Sequence, residues 1–301
     1  AAGLPLPRSS PSSLVGRDGA SAAPCGLRVV SQPTHCHFLP YSVSHLPPRL
    51  ALPVAALPAP GTLPYPSPSA PAEPPQQGFV ERGGVRSWYA QFGDSGPWLA
   101  FAPFYHIANS YMLRGVVPWL SQHFRVVVMD LRGNGRSDRP PTQADYSFDH
   151  YYADFLAVLD RLEIDRTAVV GISATMMTAI RLASEQPERV SHLISAGGWV
   201  NMRMEDPAKR ELAEQALVKM RTDWPAFLDG FFSGAINEPH STKPFEDAVM
   251  YNGWVTDGET VAMGRTGWLG TDVRELAKAV RCPALVIHGD NDKNAPFSQG
   301  Q

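Results

Sequence analysis

The sequence predicts an α/β core on a doubly wound, mostly parallel sheet of the three-layer kind, carrying an inserted helical cap and preceded by a disordered N-terminal extension. Three observations predict it. From Phe79 to about Val200, continuous apolar, β-branched strands alternate with amphipathic helices, the signature of a parallel sheet covered on both faces. From about Val200 to Val280 the alternation stops and helical patterns follow one another with no strand between them. The run "CPALVIHGD" then restores a buried strand.

The elements follow in order. Residues 1–77 hold more than half of the chain's 29 prolines, interleaved with Ser and Ala, and show neither a two-residue nor a 3.6-residue apolar period. Such a segment buries too little surface to offset its conformational entropy, so no structure is expected there. "FVERGGVRSWYAQFG" reads as two strands joined at Gly83-Gly84, a hairpin signal. "PWLAFAP" is a short buried strand, "SYMLRGVVPWLSQ" is helical in pattern, and "RVVVMD" is a β-branched strand. In "FDHYYADFLAVLDRLEI", Phe148, Tyr152, Phe155, Leu156, Leu159 and Leu162 fall on one helical face. "TAVVG" is a strand, "ATMMTAIRLASEQ" a helix closed by Pro187, and "VSHLISAGG" another strand. The insertion contains three helical patterns, "DPAKRELAEQALVKMRT", "DWPAFLDGFFSGAI" and "KPFEDAVMYNGWV". The expected organisation is therefore extension 1–77, core 78–200, cap 201–280 and the returning core strand in 281–301.

Composition narrows the function. With 301 residues, 44% of them hydrophobic, a large core needs no staples. A net charge of -3 leaves no basic face for phosphates, so neither nucleic acid nor a membrane surface is an expected partner. No run approaches the ~20 apolar residues that span a bilayer. Cys25, Cys36 and Cys282 are odd in number and imply no disulfide framework, consistent with a reducing, cytoplasmic setting. His35 and His37 flank Cys36, but one short cluster without a second pair of ligands does not make a metal site. The expected partner is a small molecule, with no metal and no organic cofactor.

Ligands of parallel α/β sheets sit beyond the carboxyl ends of the strands, and four loops there carry the chemistry. The first is "VVGISATMMTAI", where Ser173 stands between a strand and an apolar helix. A sharp turn of this kind lifts a serine hydroxyl clear of the backbone, and needs small residues two places before and after it. Gly171 meets that need, whereas Thr175 is expected to crowd the turn. Serine is also a preferred helix cap, so the pentapeptide alone leaves nucleophile and cap both open.

The second loop is "MDLRGNGRSDRP". Gly133 and Gly135 allow a tight turn, and Asp138 stands where a dinucleotide fingerprint would place its third glycine, which argues against nucleotide binding. This D-x-R-G-x-G-x-S-D run resembles the α/β-hydrolase superfamily, especially its esterase-like members, and the resemblance covers about Gly78 to Gln301. In such proteins the loop shapes the scaffold; from the residues alone, Asp138 and Arg139 are expected to pair locally.

The resemblance assigns roles to the other loops. In "FAPFYHIANS", Pro103 and Phe104 replace the usual His-Gly, and Tyr105 would supply an amide to an oxyanion hole beside that of Ala174, each donor worth roughly 3 kcal/mol of barrier. His106 is expected as a lining residue. In "VIHGDNDKNAP" the G-x-x-D pattern selects Asp292 as the acid that would orient a histidine, with Asp290 second and His288 structural. "EPHSTK", residues 238–243, is similar to a cap segment of actinobacterial-type hydrolases, so the insertion would form a lid, with Trp199, Trp254, Phe231, Phe232 and His240 as pocket candidates.

The resemblance places the general base some two dozen residues past the acid, and only nine residues follow Asp292. The expectation is a chain truncated before its histidine and close to inert. The complete form would cleave a carboxylic ester or related acyl bond through an acyl-serine at Ser173. An aspartate there would instead imply dehalogenase or epoxide chemistry. A non-catalytic binding or sensing module on the same fold is the alternative.

Overall fold

The computed structural model describes residues 28–30, 76–235, 255–292 and 294–301. Eight strands form one sheet: β1 (Arg28–Val30), β2 (Gln76–Arg82), β3 (Val85–Phe92), β4 (Trp98–Phe101), β5 (Arg125–Met129), β6 (Thr167–Ile172), β7 (Val190–Ala196) and β8 (Ala284–Ile287). Their order is β1-β8-β7-β6-β4-β5-β3-β2. Only β3 runs against its neighbours, β2 and β5. All the other pairings are parallel.

The expected hairpin forms, with Arg82 opposite Val85. Gly83 and Gly84 have φ of 59° and 76°, the doubly positive turn that matches strand twist and that side chains with a Cβ disfavour. Beyond it, short apolar strands feed helices. These are α1 (Val117–Leu120), α2 (Phe148–Arg161), α3 (Met176–Glu185), α4 (Pro207–Thr222), α5 (Trp224–Ala235), α6 (Gly258–Thr266) and α7 (Arg274–Lys278). The start of α2 is fixed by Ser147, whose side chain accepts from the His150 amide. Its inner face buries Tyr151, Tyr152, Phe155, Val158 and Leu159.

One face of the sheet packs on α2 and α3 through a cluster that includes Met129, Phe155, Leu159, Val169, Met177 and Leu182. The opposite face gathers Trp88, Phe101, Val126 and Val128 beneath Leu113 and Val117. A third cluster joins Ile107, from the loop after β4, to Met220, Phe227, Leu228, Phe232, Val261 and Ala262 of the insertion. Each large aliphatic or aromatic side chain buried in this way contributes roughly 1.5–3 kcal/mol. The insertion is thereby fastened to the C-terminal rim of the sheet, where a ligand would bind.

The structure departs from the sequence expectations in three places. Arg28–Val30, within the stretch expected to lack structure, pairs in parallel with Leu285–Ile287; it is β-branched and lies between Pro24 and Pro33, where no residue lacks an amide donor. The helix expected over 110–122 is two short pieces, a 3-10 turn at Ser110–Leu113 and α1, separated at Gly115. Of the three helices expected in the insertion, the first two are α4 and α5, and the third lies outside the described residues. Helices α6 and α7 carry weak apolar periodicity and were not foreseen; α6 starts because Asp257 accepts hydrogen bonds from both the amide and the hydroxyl of Thr260. No helix among the described residues is long and apolar enough to cross a membrane.

Candidate active site

Ser173 follows directly on the last residue of β6 and opens a 3-10 turn, Ser173–Thr175, that runs into α3. Its φ of 54° is one of two positive values on non-glycine residues among the described residues, the other being Glu163. A left-handed conformation costs an L residue roughly 1–2 kcal/mol, and it turns the chain sharply enough to leave the hydroxyl at the surface of the turn. A helix-capping serine has extended backbone angles and accepts from an amide two or three residues on. Ser173 has neither feature: the turn is closed instead by the Ile172 amide donating to the Thr175 hydroxyl.

Two neighbours make the turn possible. A Cβ on Gly171 would stand 2.5 Å from the Met176 Cα, so no larger residue fits two places before the serine. Thr175, expected to crowd the turn, instead ties it. Its hydroxyl donates to Ile172 O at 2.8 Å and accepts from Ile172 N at 3.1 Å, and the side chain is fully buried. The branched residue is accommodated because both of its polar capacities are used within the turn.

Asp292 lies beyond the end of β8. One carboxylate oxygen accepts from the amides of Asn294 and Ala295, at 2.9 and 2.8 Å. The other oxygen stands 3.8 Å from His288 Nε2 and 3.3 Å from where a Cβ on Gly197 would be. Asp290 is exposed. His288 is buried, with Nε2 hydrogen-bonded to the Ala295 carbonyl at 2.8 Å, so it braces the loop that holds Asp292.

The segment after β7 links the serine and the acid. Trp199 N donates to Ser173 O at 3.0 Å, Gly197 N donates to Ile287 O at 2.8 Å, and Gly197 adjoins the Asp292 carboxylate. Strands β6, β7 and β8 are adjacent and parallel, so Ser173 and Asp292 leave the same rim two strand spacings apart, roughly 10 Å.

On the other side of Ser173, β4 pairs with β6, Phe101 opposite Val170, so the loop holding Tyr105 leaves the rim beside the serine turn. The Ala174 amide lies in the first turn after β6, where amides have no acceptor within the helix. Tyr105 is half-buried, but its hydroxyl is enclosed, and burial pushes the phenol pKa up while Arg265 pulls it down.

His106 is fully buried behind that loop. Trp268 Nε1 donates to its Nδ1 at 3.2 Å, and Tyr151 lies 4.9 Å away, ring to ring. A Cβ on Gly264 would collide with its ring. Burial lowers its pKa from 6.5 to about 3, so the ring is neutral at physiological pH. It is a core residue of the loop.

Trp199 is half-buried against the α2–α3 core, Phe231 half-buried and Phe232 buried in the cluster formed by the insertion. His240 and Trp254, with the 238–243 segment, lie outside the described residues, as do His35, Cys36 and His37. No group of three or more metal-ligating side chains occurs among the described residues. Sequence reasoning missed the bridging role of Gly197, for which the Gly-Gly pair at a strand end was the available signal.

A family model described as "alpha/beta hydrolase fold" matches residues 104–299. An uncharacterised protein of Mycobacterium tuberculosis is 40% identical over 92 residues, 30% of this chain; the match spans about a quarter (26%) of that relative's length. A strigolactone esterase of Pisum sativum is 24% identical over 215 residues, 68% of this chain and 79% of that protein. Among solved structures, an enol-lactonase from Burkholderia xenovorans superposes with a TM-score of 0.64 at 26% identity, covering 74% of this chain and 85% of the other.

Proposed function

From the premise that this chain belongs to the α/β-hydrolase fold family, we propose that it acts on a carboxylic ester or related acyl bond through an acyl-serine intermediate on Ser173. The observation that carries this is the left-handed serine at the end of β6, held by Gly171 and Thr175 and facing the rim that also bears Asp292. A demand on the hydroxyl's position accounts for the strain of that backbone. Both the esterase and the lactonase it is similar to are named for cleaving acyl–oxygen bonds, which supports the choice of substrate class.

In this reading the Ser173 oxygen attacks the carbonyl carbon, and the amides of Ala174 and Tyr105 receive the developing oxyanion. The free oxygen of Asp292 orients an imidazole and stabilises its protonated form. The histidines nearest the rim among the described residues are engaged elsewhere: His106 with Trp268, His288 with Ala295. With those two engaged, the scheme has no base among the described residues, and hydrolysis is expected to be slow, on the order of the ~10³-fold over water that an oxyanion hole and binding sustain. No cofactor enters the scheme.

The test is reaction with a fluorophosphonate followed by mass spectrometry, alongside p-nitrophenyl butyrate hydrolysis with and without added imidazole, each corrected for the protein-free reaction that imidazole itself catalyses. An adduct at Ser173, and a slow hydrolysis above that background that imidazole accelerates in the parent but not in Ser173→Ala, are expected. Absence of an adduct, with hydrolysis unchanged in Ser173→Ala, would overturn the proposal and leave the binding-module alternative. A rate at the level of a complete triad without imidazole would refute the account of the base.

A further inference from the structure

Residues 199–202, which lead out of β7, are held from three directions. Trp199 N donates to Ser173 O at 3.0 Å. On the side of the insertion, Val273 N donates to Val200 O, Met202 N to Thr271 O and Gly270 N to Met202 O. The third tie is a side chain: Gln299 Oε1 accepts from Val200 N at 3.0 Å and from Asn201 N at 3.1 Å. Two successive amides converging on one point form a concavity suited to an anion or a carbonyl oxygen. Both partners are donors, so the atom between them has to be the carboxamide oxygen.

From Gln299 the bonding continues to the acid. Its own amide donates to Pro296 O at 2.8 Å and closes the 3-10 turn Phe297–Gln299. Gly300, the next residue, lies so close to His288 that a Cβ there would stand 2.6 Å from Nδ1. His288 Nε2 is bonded to the Ala295 carbonyl at 2.8 Å, and the Ala295 amide donates to Asp292 at 2.8 Å. Ser173 and Asp292 are thus joined by a second route besides the sheet, running through residues 199–201, Gln299 and Ala295 to the carboxylate. The strands fix where the two loops begin. This route fixes the loops beyond the strand ends, where the positions of the hydroxyl and the carboxylate are decided.

We propose that Gln299 is a positioning residue of the Ser173–Asp292 site: by gripping the Val200 and Asn201 amides it sets the spacing across which the serine hydroxyl and the carboxylate share an imidazole. Its chemical consequence rests on the hydrolase reading given above; the mechanical link does not. Gln299 itself touches no reacting atom. A misplacement of about 1 Å between groups that act together can cost on the order of a hundredfold in rate, so loss of the grip tells most on the step that needs both residues.

Two variants test it. Gln299→Met keeps the length of the side chain and removes the acceptor, whereas Gln299→Glu keeps an oxygen at the same reach. Rates are taken without denaturant, where each variant is shown to be folded, so that lower stability alone changes none of them. In Gln299→Met the imidazole-dependent part of p-nitrophenyl butyrate hydrolysis is expected to fall about tenfold or more, with KM for the ester little changed. Gln299→Glu should restore most of that loss. Amide hydrogen exchange reads the mechanical link: in Gln299→Met the amides of Trp199 and Ala295 should exchange faster, together with those of Val200 and Asn201. Parent rates in Gln299→Met, or a loss that Gln299→Glu does not repair, overturn the proposal. So does exchange that quickens at Val200 and Asn201 alone, because the tie is then only local. If Gln299→Met does not fold, Gln299→Asn, one methylene shorter, takes its place, and parent rates there are equally fatal. A parent chain without a fluorophosphonate adduct at Ser173 sinks the hydrolase reading alone, and exchange then decides the link. An adduct with rates and exchange indifferent to position 299 sinks the link alone.

Discussion

Two turns at the same rim, after β5 and after β6, both carry glycines and a serine, and they use their polar groups in opposite ways. In the Asp130–Asp138 turn nearly everything is satisfied internally. Asp130 accepts from the Ser110 and Arg136 amides, and Ser137 donates to Asp130 O while accepting from Trp88 N. Asn134 donates to the carbonyls of His106 and Ala108, and Asp138 takes a two-nitrogen grip from Arg86. In the Ser173 turn the backbone is strained, the neighbours are braced, and the serine hydroxyl stays at the surface. In the proposed reading the first turn is scaffold and the second presents the nucleophile, although the first has the more recognisable sequence.

The comparison breaks first at the scaffold. Arg132 of the glycine turn is clamped by Asp154, which also holds Arg82 at 3.0 Å and is 1% exposed. Asp154→Ala leaves a buried guanidinium unpaired and is expected to lower stability by about 3–5 kcal/mol, read as the urea midpoint. Ser173→Ala in the same assay should move by less than about 0.5 kcal/mol. Equal effects would mean that the two turns do not divide labour as described.

The loop between them responds to pH. Burial holds His106 at about 3 against an ordinary 6.5. Between those values the unfolded chain takes up a proton that the folded chain refuses. Stability contributed by this group is therefore complete above about pH 6.5 and declines as pH falls toward about 3. The slope is about 1.4 kcal/mol per unit, or roughly 2 kcal/mol at pH 5. His106→Gln should lose more stability at pH 7 than at pH 5. Identical losses at the two values would show that the imidazole is solvated.

Much of this was legible in the sequence, for reasons that differ by residue. The Gly83-Gly84 hairpin, the α2 face and the buried strands follow from local chemistry and period, which act within a few residues. Ser173 and Asp292 were legible only through their place in an ordered series of strand ends. The reading of Thr175 as a crowding residue failed because steric size was considered without the hydrogen bonds its hydroxyl makes to Ile172. His106 as a lining residue depended on the loop's path beneath α6, set by Gly264, which is 158 positions away and leaves no local mark.

The serine turn itself sharpens the comparison in smaller steps. Thr175→Val keeps the shape and removes both hydrogen bonds to Ile172, leaving Ile172 N and O to find other partners. A loss of about 1–2 kcal/mol is expected, with fluorophosphonate labelling slowed more than binding is weakened. Thr175→Ser should restore the labelling rate. A valine variant that labels at the parent rate would show that the tie is dispensable.

The smallest effect has the opposite sign. Ser173→Gly exchanges a left-handed residue that costs roughly 1–2 kcal/mol for one that adopts that geometry freely, offset by roughly 0.5–1 kcal/mol of added chain entropy in the unfolded state. A net gain of about 0.5–1 kcal/mol is expected, with labelling lost. Glu163, at φ 52° just past α2, provides the control, because there the left-handed geometry serves only to end a helix. Glu163→Gly should give a similar gain with labelling intact. If Ser173→Gly instead destabilises while Glu163→Gly stabilises, the serine side chain holds the turn together, and the strain at position 173 would be structural rather than the cost of presenting a nucleophile.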